Sequence, residues 1–230
     1  MYTVITLNRV GQSLAMAISR SRLRAKRPSP RRSYHHGDLR QALLDAAVEL
    51  VEARGLDAVS VREVAKMVGV SPGAPFRHFH TRTALLTGVA EQAMDGLESA
   101  IDRSLDAAAE ENALMQLRAI GTGFLRWAFT NPTHFQVISA RAVIDFEGSN
   151  LRRRNDVIRA KMSALINQAT AAGLLRPGDV ERYQVVLRAL VYGLSRMFID
   201  GQFPSWDLDE AAALEESIAT LDQFVEVVSR

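Results

Sequence analysis

The chain has 230 residues, 47% hydrophobic and 23% charged, the balance of a globular protein long enough for a packed core. It has no cysteine, which excludes a disulfide scaffold, a thiolate metal site and a cysteine nucleophile, and no apolar window approaches the ~18 residues of a membrane helix. The net charge of +2 hides an asymmetry: residues 1–33 carry eight Lys/Arg and no acid, so the remainder sums to −6.

That first segment reads as a basic, Ser/Pro-containing arm that seeks polyanions such as nucleic acid. Its rival reading is an unstructured leader, with Met16 as an alternative start. A secretory signal is not expected, because the apolar stretch lacks a leading positive charge and carries Arg9 inside it. An organellar transit peptide is disfavoured.

From Gly37 onward the pattern is helical. Asp38 and Gln41 have capping-box spacing ahead of Leu39, Leu43, Ala46, Ala47, Leu50 and Val51, one apolar helix face closed by Gly55. A second capping box, Ser60 with Glu63, opens a helix with Val61, Val64, Ala65 and Val68 inward, ending at Gly69. A short third helix is expected from Ser71 to Phe79, with Ser71 as its cap and Pro72 as its first residue. Pro75 disturbs its first turn, so regular helix is expected only from Phe76. A fourth helix starts near Thr81 and runs through Ile101. Five more are expected at 111–130, 132–146, 150–172, 179–200 and 207–229, and no stretch alternates like a strand. The expected fold is all-α, with about nine helices.

The second and third helices, with Gly69-Val70-Ser71 between them, have the spacing of a helix-turn-helix at residues 60–79. Ala65 is small where the helices must approach, Gly69 permits a positive backbone angle, and Val70 is suited to burial between them. A helix presented this way enters the major groove, which admits a helix and carries a full base-pair code.

From 34 to 97 the sequence resembles the TetR family of transcriptional regulators. Ser71, Gly73, Phe76, His78, Phe79, Arg82 and Leu85 follow that family's Ser-x-Gly-x-x-Tyr-x-His-Phe-x-x-Lys-x-x-Leu, with phenylalanine for tyrosine and arginine for lysine. The resemblance implies a DNA-binding domain at 34–97 and a helical ligand-binding and dimerisation domain at 98–230. Ser60 and Ser71 would donate to phosphates, and Pro72 belongs to the stiffened approach. Gly73 would allow close approach to DNA, and Ala74 would meet a thymine methyl. Arg77 would read bases, while His78 and Arg82 would take phosphates. Phe79 is read as core, and Phe76 stands evenly between core and groove wall. Residues 34–87 hold six Lys/Arg and six acids, so this region is near neutral and the basic arm would supply much of the affinity.

In the second half, "WAFTNPTHFQVI" and "LVYGLSRMFIDGQF" resemble the subgroup with a C-terminal Trp-His-Gly signature, except that Tyr192-Gly193 stands in place of His-Gly. Phe124, Trp127, Phe135, Ile138, Met162 and Met197 are read first as plain core and second as walls of an apolar pocket. His134 and Arg141 would orient its ligand. The last two helices would pair with a second copy through Val186, Leu190, Gly193 and Leu194, and through Leu214, Ile218, Leu221 and Val225.

Catalysis is not expected. No P-loop, nucleophile elbow or His-Glu-x-x-His appears, and Gly121-x-Gly123 lies in a helical pattern. Histidines 35, 36, 78 and 80 are read as polar contacts, and neither a metal nor a cofactor is expected. The expected protein is a cytoplasmic, nucleoid-associated homodimeric repressor, released from a palindromic double-stranded DNA operator by a small apolar effector. The alternative is a helical ligand-binding or interaction protein without DNA binding.

Overall fold

A computed structural model describes residues 39–230; the expectations for residues 1–33, for the histidines at 35 and 36, and for Asp38 as a cap lie outside them. Among the described residues are eight α-helices: α1 (Leu39–Arg54), α2 (Val61–Val68), α3 (Arg82–Ala107), α4 (Ala113–Thr130), α5 (Pro132–Ser139), α6 (Leu151–Ala171), α7 (Val180–Ile199) and α8 (Ala213–Val228). Short 3₁₀ turns occupy Leu56–Ala58, Ala74–Arg77, Phe203–Trp206 and Glu210–Ala212. Extended pairing among the described residues is limited to one bridge, Leu175 with Ser229. None of these helices is long and apolar enough to cross a membrane.

The helix starts follow the side-chain chemistry. Ser60 Oγ accepts from the Glu63 amide at 3.2 Å and Thr81 Oγ1 from the Ala84 amide at 3.0 Å. Asn112 Oδ1 accepts from Leu114 and Met115, and Asp179 Oδ1 from Arg182. Each satisfies amides that a helix start leaves without partners. Glu63 does not complete its capping box with its carboxylate, which instead lies 3.5 Å from Arg54.

α4 is the central rod, with α3, α6, α7 and α8 around it. Close approach is built into its sequence. A Cβ at Gly123 would lie 2.9 Å from the Ala100 carbonyl of α3, and one at Gly121 would lie 2.8 Å from Leu221 of α8. The Gly121-x-Gly123 pair is thus a packing device between helices.

Two expectations are corrected, and a third is located in the fold. The helix expected over 132–146 stops at Ser139; the chain then turns as far as Asn150, with the Asp145 amide donating to Thr87 Oγ1 of α3 at 2.9 Å. The boundary expected at residue 97 falls inside α3, a rod of roughly 39 Å that runs unbroken through it. Leu221 and Val225, assigned to a partner surface, are 0% and 5% exposed in the core against α4, because α8 turns that face inward.

Candidate nucleic-acid interface and cavity

The helix-turn-helix begins with a tight closure. Gly69 adopts φ 78° and ψ 30°, a left-handed position that glycine takes without strain. Its amide reaches the Lys66 carbonyl at 3.2 Å, and the Val70 amide reaches the Ala65 carbonyl at 3.1 Å. That double bond pattern ends α2 and redirects the chain. Ala65 is buried, and Val70 is half-buried.

The expected third helix is corrected. Only Ala74–Arg77 is helical, as a 3₁₀ turn, and no regular α-helix follows at Phe76. The prolines explain this. Pro72 and Pro75 have no amide hydrogen to donate, so the segment is held by Ala74 N–H to the Ser71 carbonyl at 3.0 Å and by His78 N–H to the Pro75 carbonyl at 2.8 Å. The cap position falls to Gly73 and not to Ser71, whose carbonyl accepts from Ala74 and whose hydroxyl makes no capping bond.

Packing from below keeps this turn rigid. Pro75 is buried and Phe79 is 3% exposed, seated against α3 at Gly88, with the Arg40 guanidinium 5.5 Å from its ring centre. Ser71, Pro72, Gly73, Arg77 and His78 face outward, and Ala74 is half-exposed. Phe76 is 39% exposed, so it stands at the surface and not in the core. Gly73 has ordinary helical angles, and an added Cβ would meet open space. Ser60 is half-exposed, and its hydroxyl oxygen accepts from Glu63 while the hydrogen remains available.

Arg82 departs from its expected role. Its Nε donates to the Val59 carbonyl at 3.1 Å and its Nη2 to the Leu56 carbonyl at 2.9 Å, with Asp57 at 3.7 Å. It pins the Leu56–Ala58 turn to the start of α3, so its fork is occupied by backbone and not aimed at phosphates. Thr81 and Thr83, which sequence reading did not single out as contacts, are exposed around the same helix start, as is His80. The Ser/Thr position before α3 was the available signal.

Behind this head, α3 to α7 surround an open-sided cavity of about 610 Å3. Phe124, Trp127, Phe135, Ile138, Arg141 and Met162 line it as expected. Phe124 and Phe135 meet edge to face, with ring centres 6.0 Å apart. Two expectations are corrected. Met197 lies outside the lining, because α7 turns Gln184, Leu187, Val191 and Ser195 into the core. His134 is also outside it, half-buried near Asp45 of α1; burial holds its pKa below the ordinary 6.5, with Asp45 working the other way.

Sequence reading missed Arg188, Tyr192 and Gln184 in the wall. Gln184 is held by Ser163 and by the Arg159 carbonyl at 2.9 Å. Arg188 faces the hollow between Phe124 and Tyr192, its guanidinium 4.8 and 5.3 Å from their ring centres. Desolvation, with Arg141 adding repulsion, pushes its pKa down to about 10. α5 joins the two parts: its Phe135 and Ile138 line the cavity, and it packs on both α3 and α1.

A solid head presenting an outward turn, ahead of a hollow helical body, defines a helix-turn-helix DNA-binding regulator. Residues 43–89 match the family model described as bacterial regulatory proteins, tetR family, and residues 117–221 match that described as tetracyclin repressor-like, C-terminal domain. The chain belongs to the TetR family of transcriptional regulators. It is similar to the nucleoid occlusion factor SlmA of Vibrio cholerae serotype O1, 28% identical over 184 residues that span 76% of this chain and 92% of that one. Among solved structures, a protein of unknown function from Rhodococcus sp. RHA1 superposes with a TM-score of 0.70 at 28% identity, over 86% of this chain and 100% of the other. The ketosteroid transcriptional regulator KstR2 of Mycobacterium tuberculosis shares the fold, with a TM-score of 0.65 at 18% identity, over 83% and 95%.

Proposed function

We propose that the protein is a homodimeric repressor in the cytoplasm, released from a palindromic operator when a small, largely apolar effector enters the cavity. The observation that carries this reading is the placement of α5, which lines the hollow and packs on α1 of the reading head. An occupant that shifts α5 biases how the head sits. Arg77 is the base-reading residue, with Phe76 at the groove wall and Ser60, Ser71 and His78 at phosphates; residues 1–33 add salt-dependent affinity.

A twofold pair through α7 and α8 accounts for their outward face. Val185, Val186 and Val227 are exposed, Leu190, Leu194, Leu214 and Ile218 are half-buried, and the Cβ position of Gly193 has no atom within 4 Å. Two half-sites about one helical turn apart need such a pair.

Gel shift on the DNA upstream of its own gene tests the DNA reading, with Arg77→Ala as control. A shift lost in the variant is expected; no shift at low salt overturns it. Light scattering at micromolar concentration tests the pair, and a monomer would contradict it. Removing residues 1–33 should flatten the slope of log affinity against log salt.

A further inference from the structure

The cavity carries more positive charge than its apolar walls explain. Arg188 and Arg141 both line it, and among the described residues neither has a carboxylate within 4 Å or a hydrogen-bonded acceptor. Their contacts are aromatic: Arg188 between Phe124 and Tyr192, Arg141 at 3.3 Å from the centre of Phe146. Arg118 and Arg154, by contrast, are matched to Asp222 and Glu98 with two hydrogen bonds each.

The other charged groups of the lining do not neutralise the pair. Arg159 adds a third cation and lies 3.5 Å from Asp156. Glu181 is two helical turns from Arg188 along α7, and Glu147, beside the adjoining hollow that Arg141 also lines, is bound to Arg152 at 2.9 Å and offsets the Arg141 charge only in part, since burial still holds that pKa down. Both side chains remain solvent-accessible, and two unmatched guanidiniums lining one largely apolar hollow favour an anion between them. Burial and mutual repulsion already lower the pKa of Arg188. A guanidinium fork is suited to a carboxylate, while the walls from Met94, Leu97, Ile101 and Leu117 suit a hydrocarbon body.

We infer that the effector is an amphipathic acid, whose carboxylate sits between Arg188 and Arg141 and whose apolar body fills the cavity toward α3 and α4. This rests on the effector-binding reading above. It also names a route to the head. Arg141 lies two residues beyond α5, on the segment whose Asp145 amide is bonded to Thr87 at the head end of α3.

The test uses the full chain with Trp206→Phe, which removes the exposed indole and leaves Trp127 in the cavity wall as the sole reporter. Trp127 fluorescence is followed on titration with decanoate and with decanol. Decanoate is expected to bind at least about tenfold more tightly. Arg188→Met should erase that preference and Arg188→Lys should keep much of it, with Arg141→Met as a second variant should the first fail to fold. Equal binding of acid and alcohol, or an acid preference retained in both Met variants, overturns the acid assignment and leaves the cavity an effector site. Silence from both ligands overturns the effector site and the acid assignment together.

Discussion

The two ends of the molecule place their cations in opposite settings. At the reading head, Arg77 stands exposed on a turn whose underside, Pro75 and Phe79, is buried, so its chemistry faces outward from a solid core. In the body, Arg188 and Arg141 are also exposed, but they line a concave hollow of about 610 Å3 with aromatic rings against them. A charge on a convex turn meets whatever polyanion arrives, whereas a charge in a concavity with apolar walls meets what fits there. The head presents a convex turn and the body a shaped hollow.

The contrast breaks most severely if the support beneath the turn is removed. Phe79→Ala should lower stability by about 3–5 kcal/mol, since the ring fills the gap against α3; denaturant unfolding that moves by less than ~1 kcal/mol would show the head is not solid. Next comes a separation of two arginines five residues apart. Arg82→Gln loses two charge-assisted bonds to carbonyls and should lower stability by about 1.5–3 kcal/mol. Arg77→Ala should leave the melting temperature alone and weaken specific operator binding by about 1–3 kcal/mol, read by fluorescence anisotropy. Reversed outcomes would exchange their assignments.

Gly73→Ala sharpens the same boundary on a smaller scale. Its backbone angles suit any residue and the new methyl meets open space, so stability should hold or rise by about 0.4–1 kcal/mol. Operator affinity should fall if DNA approaches that backbone closely, and unchanged affinity removes Gly73 from the interface. The smallest effect lies where head and body meet. Burial depresses the His134 pKa, so the unfolded chain binds that proton more readily than the folded one. The stability its neutral ring contributes is present above pH 6.5 and is lost as pH falls through that value toward the folded pKa. His134→Asn should flatten the dependence of the unfolding midpoint between about pH 8 and pH 5. Parallel curves for variant and parent would place the proton elsewhere.

The sequence was legible where its signals are local. Capping at Ser60, the start of α3 near Thr81, the turn at Gly69 and the buried faces of α1 and α2 all involve residues within a few positions of one another. The third helix was over-read, because a proline every third residue removes amides that spacing alone does not count. Arg82 was misassigned for a different reason: the carbonyls it binds lie 23 and 26 residues away. α7 is the instructive failure. It carries apolar residues on two faces: Val186, Leu190 and Leu194 form the denser stripe in the sequence, whereas Gln184, Leu187, Val191 and Ser195 point inward. Arg188 and Tyr192 flank that inner stripe, so their place in the cavity depended on a rotation that only the tertiary packing decides.

α3 has a practical consequence for anyone recombining members of this family. The same uninterrupted helix begins beneath the reading head and continues as cavity wall at Met94, Leu97 and Ile101. A chimera joined within it inherits half a wall from each parent, and a one-residue mismatch at the seam rotates every downstream side chain by about 100°. Sensors with exchanged heads are better joined beyond Ala107, where α3 ends, so that the whole rod travels with one parent.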